Sequence, residues 1–291
     1  MATPSADIDI DEGLVASLVA RQHPEAADQP VRIVASGWDN VIARLGDDLM
    51  VRLPRRAVAA TLVEHEQRWL PQLAPRLPLA VPVPIVNGVP DAGYPWHWSI
   101  CRWLPGATAA EAPPNDLDAA ADDLGAFIRA LHLPAPADAP ENPVRGVALR
   151  RRADAVDQRL VDFVHIVDVA LVGSLWRQLS STPEWPGPPI WLHGDLHPSN
   201  MLTLDGRVSA VIDFGDITAG DPATDLAIAW MLFDRDHRTR FRDVIGVDDH
   251  TWLRAAGWAL SLSLAYLSGD DTSSMPAIGH RTLSRVIDEF G

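Results

Sequence analysis

Pro189 to Leu192 and Val208 to Ile212 are short apolar runs, and each leads straight into a polar cluster. The first cluster is His193-Gly194-Asp195-Leu196-His197-Pro198-Ser199-Asn200, and the second is Asp213-Phe214-Gly215-Asp216. Between them, Asp205-Gly206 is a hairpin signal, because both residue types tolerate the positive φ of a tight turn. The spacing therefore predicts two strands that deliver two loops side by side, a geometry for collecting carboxylates. In such a pair one aspartate accepts a hydroxyl proton, while an asparagine and a second aspartate hold Mg²⁺, a hard ion that prefers oxygen ligands and bridges phosphates. A rival reading uses the alternation of His193, Asp195 and His197, which on a continued strand would present three zinc ligands on one face. Gly194 and Pro198 favour a loop instead, and the histidines at 132, 165, 237, 250 and 280 form no close pair. His197 then reads as a packed or capping side chain.

All 24 residues in the Lys+Arg count are arginine. Without lysine there is no G-K-[ST] phosphate loop, no lysine Schiff base and no Ser-x-x-Lys nucleophile pair. Polarisation of a phosphate falls to arginine, backbone amides or a metal ion. The 39 acidic residues leave a net charge of -15, which repels nucleic acid and anionic membrane and attracts cations, although solubility explains it equally simply. The single Cys101 excludes an internal disulfide and fits a reducing compartment. The N-terminal stretch carries Asp7, Asp9, Asp11 and Glu12 with no basic residue, unlike a signal peptide. Ala255 to Leu267 is broken by serines and too short to span a bilayer. A cytoplasmic protein without nucleic-acid or membrane partners is expected.

Periodicity along the chain gives the layout. Leu14, Val15, Leu18 and Val19 share one helical stripe that stops at His23-Pro24. Val31 to Ser36, Val41 to Leu45 and Leu49 to Leu53 read as a three-stranded antiparallel meander. A helix is predicted from Ala57 to Leu73, a proline-rich extended connection from Pro75 to Pro95, and a buried strand from Trp96 to Leu104. Beyond Pro105-Gly106 the chain turns alanine-rich and helical, with Leu117 to Leu133 the clearest helix and Arg150 to Leu179 helical throughout. Arg150-Arg151-Arg152 is either a phosphate patch or a helix face paired with Asp154 and Asp157. Helices are expected from Pro222 onward, two of them joined by a turn at Ser268-Gly269-Asp270-Asp271.

The Asp195-to-Asn200 spacing, followed by Asp213-Phe214-Gly215, matches the H-x-D-x-x-x-x-N and D-F-G pair of kinase-like phosphotransfer. On these motifs the chain resembles the aminoglycoside phosphotransferase family, with macrolide phosphotransferases and choline kinases as nearby branches. The resemblance runs from the Ser36-Gly37-Trp38-Asp39-Asn40 loop to the Asp221-Pro222 turn. It implies an α+β, bilobal protein-kinase-like fold, with a small antiparallel-sheet N-lobe (1–103) for nucleotide and a larger, mainly helical C-lobe (104–291) for catalysis and the acceptor. By the same resemblance Asp195 is the catalytic base, Asn200 and Asp213 coordinate Mg²⁺, His193 braces the catalytic loop, and Asp225 hydrogen-bonds that loop's backbone. Ser36 and Gly37 fall in the nucleotide-binding loop, although a lone glycine suits a tight hairpin equally well. Arg102 and Leu104 should present backbone groups to the purine edge, in a segment that an ordinary buried strand would also explain.

This sequence departs from the family at the third strand, where Arg52 stands in place of the lysine that meets the nucleotide phosphates. Arginine is permanently charged and bidentate toward phosphate, so it can serve there if a helix carboxylate has the right reach. Glu66 is the expected partner and Glu64 the alternative. The implied activity is transfer of the γ-phosphate of Mg²⁺-ATP or Mg²⁺-GTP to a hydroxyl of an aminoglycoside-like antibiotic. A macrolide, a nucleoside antibiotic, or a sugar- or choline-type metabolite are alternatives, and a catalytically impaired nucleotide-binding protein is the non-enzyme reading. Asp234, Asp236 and Asp270 are candidates for lining a cationic acceptor's site, with solvated helix ends as the plainer account.

Overall fold

The computed structural model describes residues 4–269 and 273–291. They divide into a smaller compact unit, the described residues up to Pro105 together with Asp213–Gly215, and a larger one holding the rest.

In the smaller unit, α1 (Glu12–Gln22) starts where the Asp11 carboxylate accepts the Leu14 N–H at 2.7 Å and ends before Pro24. The meander follows as β1 (Val31–Ser36), β2 (Asn40–Leu45) and β3 (Leu49–Pro54), then α2 (Ala57–Leu73), β4 (Pro84–Gly88) and β5 (Trp98–Arg102). These strands form one antiparallel five-stranded sheet in the order β1-β2-β3-β5-β4. The connection expected over Pro75 to Pro95 thus contains an edge strand. Pro84 is tolerated because it opens an edge strand, and the register with β5 slips between Pro84 and Val86. Val41, Ala43, Leu45, Val51, Leu53, Trp98 and Ile100 pack against Val15, Leu18 and Val19 of α1. Side chains alternate faces along a strand, so with Val51 and Leu53 in this core Arg52 is turned to the other face of β3, toward α2.

The larger unit runs through β6 (Ala107–Thr108), α3 (Leu117–Leu131), α4 (Ala153–Asp162), α5 (Val169–Ser180), β7 (Ile190–Leu192), β8 (Met201–Leu204), β9 (Arg207–Val211) and β10 (Thr218–Gly220). It continues through α6 (Ala223–Leu226), α7 (Ile228–Leu232), α8 (Arg235–Ile245), α9 (Asp249–Tyr266) and α10 (Met275–Phe290). Helix α9 is its axis, buried almost continuously from Ala255 to Leu264 and packed by α4, α5, α6 and α10. Arg150 to Leu179 is not one helical stretch. Residues 163–168 interrupt it, and α5 restarts where Asp168 caps the Leu171 N–H at 3.0 Å. The exposed Val161, Val164 and Ile166 carry the apolar pattern across the gap and so imitate helical periodicity.

The two apolar runs are strands, but they are not partners in one hairpin. β7 pairs with β10, while the turn at Asp205 (φ 51°) and Gly206 (φ 77°) joins β9 to β8, a strand that the sequence reading overlooked. Side-by-side delivery is achieved differently. The backbone N–H of Ile212 donates to Asn200 O at 2.9 Å, and the His193 ring contacts Ile212 O at 2.9 Å, so both ends of the first polar loop are held at the end of the second run. The Ser268–Asp271 turn lies partly outside the described residues.

Candidate active site

The first polar loop is built around a buried anion. Asp225, in α6, accepts the backbone N–H of His193 at 2.8 Å and of Gly194 at 2.9 Å, and its Oδ2 lies 3.1 Å from His132 Nε2. Burial pushes its pKa up, but the His132 ring and the loop N–H donors outweigh burial and hold it below the usual carboxylate range. The turn needs glycine at 194, because φ is +88° and a Cβ there would fall 2.2 Å from Asp216 O. His193 accepts the Asp195 N–H through Nδ1 at 3.2 Å and uses Nε2 toward Ile212 O, a pattern that places the ring proton on Nε2. Asn200 donates from Nδ2 to Asp195 O at 2.9 Å, which turns its amide oxygen away from that bond.

Asp195 thus leaves the loop on a backbone clamped from three sides, with its side chain about one quarter exposed. An arginine that the sequence reading missed meets it there: Arg145 Nη2 donates to Asp195 Oδ1 at 2.7 Å, and His197 Nε2 lies 3.4 Å from Oδ2. Burial opposes ionisation of Asp195, but Arg145 and then His197 overcome it and hold the carboxyl well below its ordinary range. Arg145 comes from the proline-rich stretch before α4. That segment is fastened by Asn142, which donates to Asp216 Oδ1 at 2.6 Å, and by Gly146 N–H, which donates to Thr224 Oγ1 at 3.1 Å. No local periodicity or motif marks Arg145; only the fold of a long loop brings it to Asp195.

In the smaller unit, Arg52 is the hub. Its Nε lies 3.2 Å from Glu66 Oε2, a charge contact without a well-aimed N–H, and its Nη2 donates to Asp213 Oδ1 at 2.5 Å. Burial lowers the arginine's proton affinity, but Asp213 and Glu66 reverse this and raise it. Glu66 is buried, and burial pushes its carboxyl up to about 7 despite Arg52, with Asp213 adding to the rise and the Phe214 N–H opposing it. Arg52 therefore meets Glu66 on α2, and not Glu64. Asp213 itself is half exposed and holds φ at +62°, a left-handed conformation that a non-glycine residue rarely adopts outside functional turns. Its carboxylate and the Asn200 amide supply hard oxygen donors, the chemistry that Mg²⁺ requires.

Ser36 ends β1 and Gly37 opens the following loop, whose Gly37 N–H donates to Asn40 O at 2.9 Å while Arg55 Nη1 donates to Gly37 O at 2.8 Å. Arg102 ends β5 opposite Leu49, and the Trp103 N–H donates to Asp48 O at 2.7 Å, fixing the path into Leu104. The zinc reading does not survive: both ring nitrogens of His193 are engaged with backbone, and His197 Nδ1 caps the Ser199 N–H at 3.2 Å. Of the acceptor candidates, Asp234 caps α8 and contacts His237 Nδ1 at 2.6 Å, Asp236 is exposed in the same first turn, and Asp270 lies outside the described residues. Arg150 pairs with Glu184 and Arg152 stands over the Trp258 ring, so neither uses Asp154 or Asp157 as expected.

Among the described residues no helix is long and apolar enough to cross a membrane. An aminoglycoside 3'-phosphotransferase of Escherichia coli is 27% identical over 139 residues, 46% of this chain and 51% of that protein, so the match spans about half of that relative. The protein YcbJ of Bacillus subtilis (strain 168) is 23% identical over 78% of this chain and 77% of its own. Among solved structures, an APH(2") enzyme in complex with GDP and kanamycin superposes with a TM-score of 0.70 at 20% identity, covering 94% of this chain and 98% of that one. The macrolide 2'-phosphotransferase MphH of Brachybacterium faecium gives 0.63 at 21% identity, over 94% and 97%. The α+β kinase-like fold is common to all of these structures. Residues 30–259, which include Arg52, Glu66, Asp195, Asn200, Asp213 and Asp225, match the phosphotransferase enzyme family APH, and the chain belongs to that family.

Proposed function

We propose that this protein is a small-molecule kinase that transfers the γ-phosphate of a Mg²⁺-nucleoside triphosphate to an acceptor hydroxyl. The observation that carries the reading is Asp195, a carboxylate held ionised on a loop whose backbone N–H groups are clamped by the buried Asp225. Phosphoryl transfer of this kind is accelerated chiefly by positioning and charge neutralisation. An aspartate of low proton affinity suits it, because it orients the acceptor hydroxyl and receives the proton late, once the oxygen has begun to bond to phosphorus. Asn200 and Asp213 would hold Mg²⁺, which when bound neutralises charge on the phosphates. Arg52, aligned by Glu66, would contact the phosphates as the family's lysine does, with the Ser36-Gly37 loop beside them and the backbone at Arg102 and Leu104 facing the purine. The smaller unit then serves the nucleotide, and the larger one catalysis and the acceptor.

Solved structures of related fold hold GDP, ADP or ATP, which supports a nucleotide donor, with adenine and guanine both represented. An aminoglycoside-like acceptor is supported by the E. coli relative and by neighbours bound to kanamycin, gentamicin and streptomycin. A macrolide is supported by the two macrolide enzymes of the same fold. The impaired-enzyme reading loses ground because Arg52 has both a helix carboxylate and Asp213 to align it. A cytoplasmic location fits the single buried thiol of Cys101. The test is a transfer screen with ATP and GTP against aminoglycosides, macrolides, nucleosides, sugars and choline. Failure to bind Mg²⁺-nucleotide, with no turnover on any acceptor, overturns the proposal.

A further inference from the structure

Asp195 lies at the edge of a concentration of unused hydrogen-bond donors. Among the described residues of the larger unit, every buried side-chain nitrogen or oxygen without a partner belongs to Arg145, Arg152, Arg159, Trp258, Ser261 or Tyr266. Four of these atoms, Arg145 Nε, Arg152 Nε, Arg159 Nη1 and Trp258 Nε1, can only donate, and the Ser261 and Tyr266 hydroxyls can do so as well. Unsatisfied buried donors cost free energy, so a concentration of them calls for a partner rich in acceptors.

Most of these donors fall in two contact groups, Arg152 with Trp258, and Arg145 with Tyr266 through Asp195 and His197. Arg152 immediately precedes α4 and Arg159 stands about two turns further on, on the same side. The Arg152 guanidinium stands 5.9 Å from the Trp258 ring, and Trp258, Ser261 and Tyr266 all come from α9. Tyr266 is buried, lies edge-on to His197 at 5.8 Å, and feels the charges of both Asp195 and Arg145. Arg145 in turn lowers the proton affinity of Arg152 and Arg159, which burial has already depressed, and neither of these two has an ion pair among the described residues. Asp195 engages Arg145, Asp216 adds a negative charge near it, and Asp162 one near Arg159. Of the three arginines, Arg145 alone is held in an ion pair among the described residues.

We propose that Arg145, Arg152 and Arg159, with the Tyr266 hydroxyl, form an oxyanion-binding subsite beside Asp195, and that the acceptor phosphorylated there carries a carboxylate or phosphate in addition to its hydroxyl. This rests on the kinase reading for its catalytic half only, since an oxyanion can bind these donors whether or not transfer follows. The subsite selects against polycationic acceptors, and so against the aminoglycoside-like one among those proposed above: an ammonium group placed among the guanidinium groups would meet like charge. It also gives Arg145 two tasks, holding Asp195 in line and fixing the acceptor next to it.

The test is equilibrium titration of the whole protein with glycerate, glycerol 3-phosphate, glycerol and 3-amino-1,2-propanediol, with and without saturating Mg²⁺-ADP. The anionic compounds should bind at least about tenfold more tightly than the neutral and cationic ones, and Arg152→Gln and Arg159→Gln should each weaken them about tenfold or more, the scale of one lost charge-assisted hydrogen bond. The affinity for Mg²⁺-ADP and the Tm of both variants should stay near wild type. The tighter of the two anions tells carboxylate from phosphate. Equal binding of all four compounds, a preference for the amine, or unaltered anion binding in both variants overturns the subsite. Loss of Mg²⁺-ADP binding by the wild type overturns the kinase reading alone, because the titration without nucleotide still reads the oxyanion.

Discussion

Replacing Arg52 by alanine would leave Glu66 buried beside a second carboxylate. Arg52 is 6% exposed and Glu66 3%, with the guanidinium 3.2 Å from Glu66 and 2.5 Å from Asp213. Breaking a buried pair by removing one partner costs about 3–5 kcal/mol, because the remaining charge is uncompensated. The carboxylate can avoid that cost by taking up a proton. Burial already raises its pKa from the ordinary 4.5 to about 7, and loss of Arg52 raises it further. A carboxyl group whose folded pKa is raised binds a proton on folding, so stability falls as pH rises from the unfolded value through the folded one. Wild type and Arg52→Ala share that slope up to about pH 7; above it, only the variant continues to lose stability, by about 1.4 kcal/mol per pH unit. Denaturant unfolding should therefore show a modest deficit near about pH 6 that widens by roughly 3 kcal/mol by about pH 9. Glu66→Gln in the Arg52→Ala background should remove the widening but leave the nucleotide KM raised or kcat lowered. A deficit that is the same at both pH values refutes the buried-pair argument, and unchanged kinetics refutes the phosphate role.

Further expectations separate catalysis from folding. Asp195→Asn should lower kcat by about 10²–10⁴-fold, the worth of a general base, with Mg²⁺-nucleotide binding retained; wild-type turnover would remove the base assignment. Gly37 has no left-handed φ, and a Cβ there would make ordinary contact at 3.6 Å with Asn40 O. Gly37→Ala should therefore leave the fold intact or stabilise it by about 0.4–1 kcal/mol, yet weaken nucleotide binding if phosphates approach that backbone. A fall in Tm without loss of affinity would contradict this. Asp225→Ala orphans the His193 and Gly194 N–H groups and should cost about 2–5 kcal/mol with loss of turnover. Because the folded pKa of Asp225 is depressed, its contribution is present above the unfolded carboxylate range and lost as pH falls below it, so Asp225→Asn should flatten the acid limb of a stability profile. An unaltered acid limb would assign that limb to other carboxylates.

The sequence by itself named the two polar loops as the candidate site and gave most of the elements that carry them. Motif spacing singled out Asp195, Asn200 and Asp213, whereas the face of β3 that Arg52 occupies was decided only by the packing of Val51 and Leu53 into the core and of α2 on the other side. The loop motifs are local signals, written within a few residues of each other. Edge strand β4 was hidden because prolines mask strand propensity at a sheet edge, and the break between α4 and α5 because exposed apolar residues continued the helical pattern. The choice of Glu66 over Glu64 was settled only when α2 packed on β3. Arg145 was illegible for a deeper reason: it lies 50 residues from Asp195 in a loop without period, and hydrogen bonds that tie Pro140, Asn142 and Gly146 to distant elements carry it there. Local pattern names the candidate residues, whereas the charge surrounding them is a sum over long-range contacts that only the tertiary structure assembles.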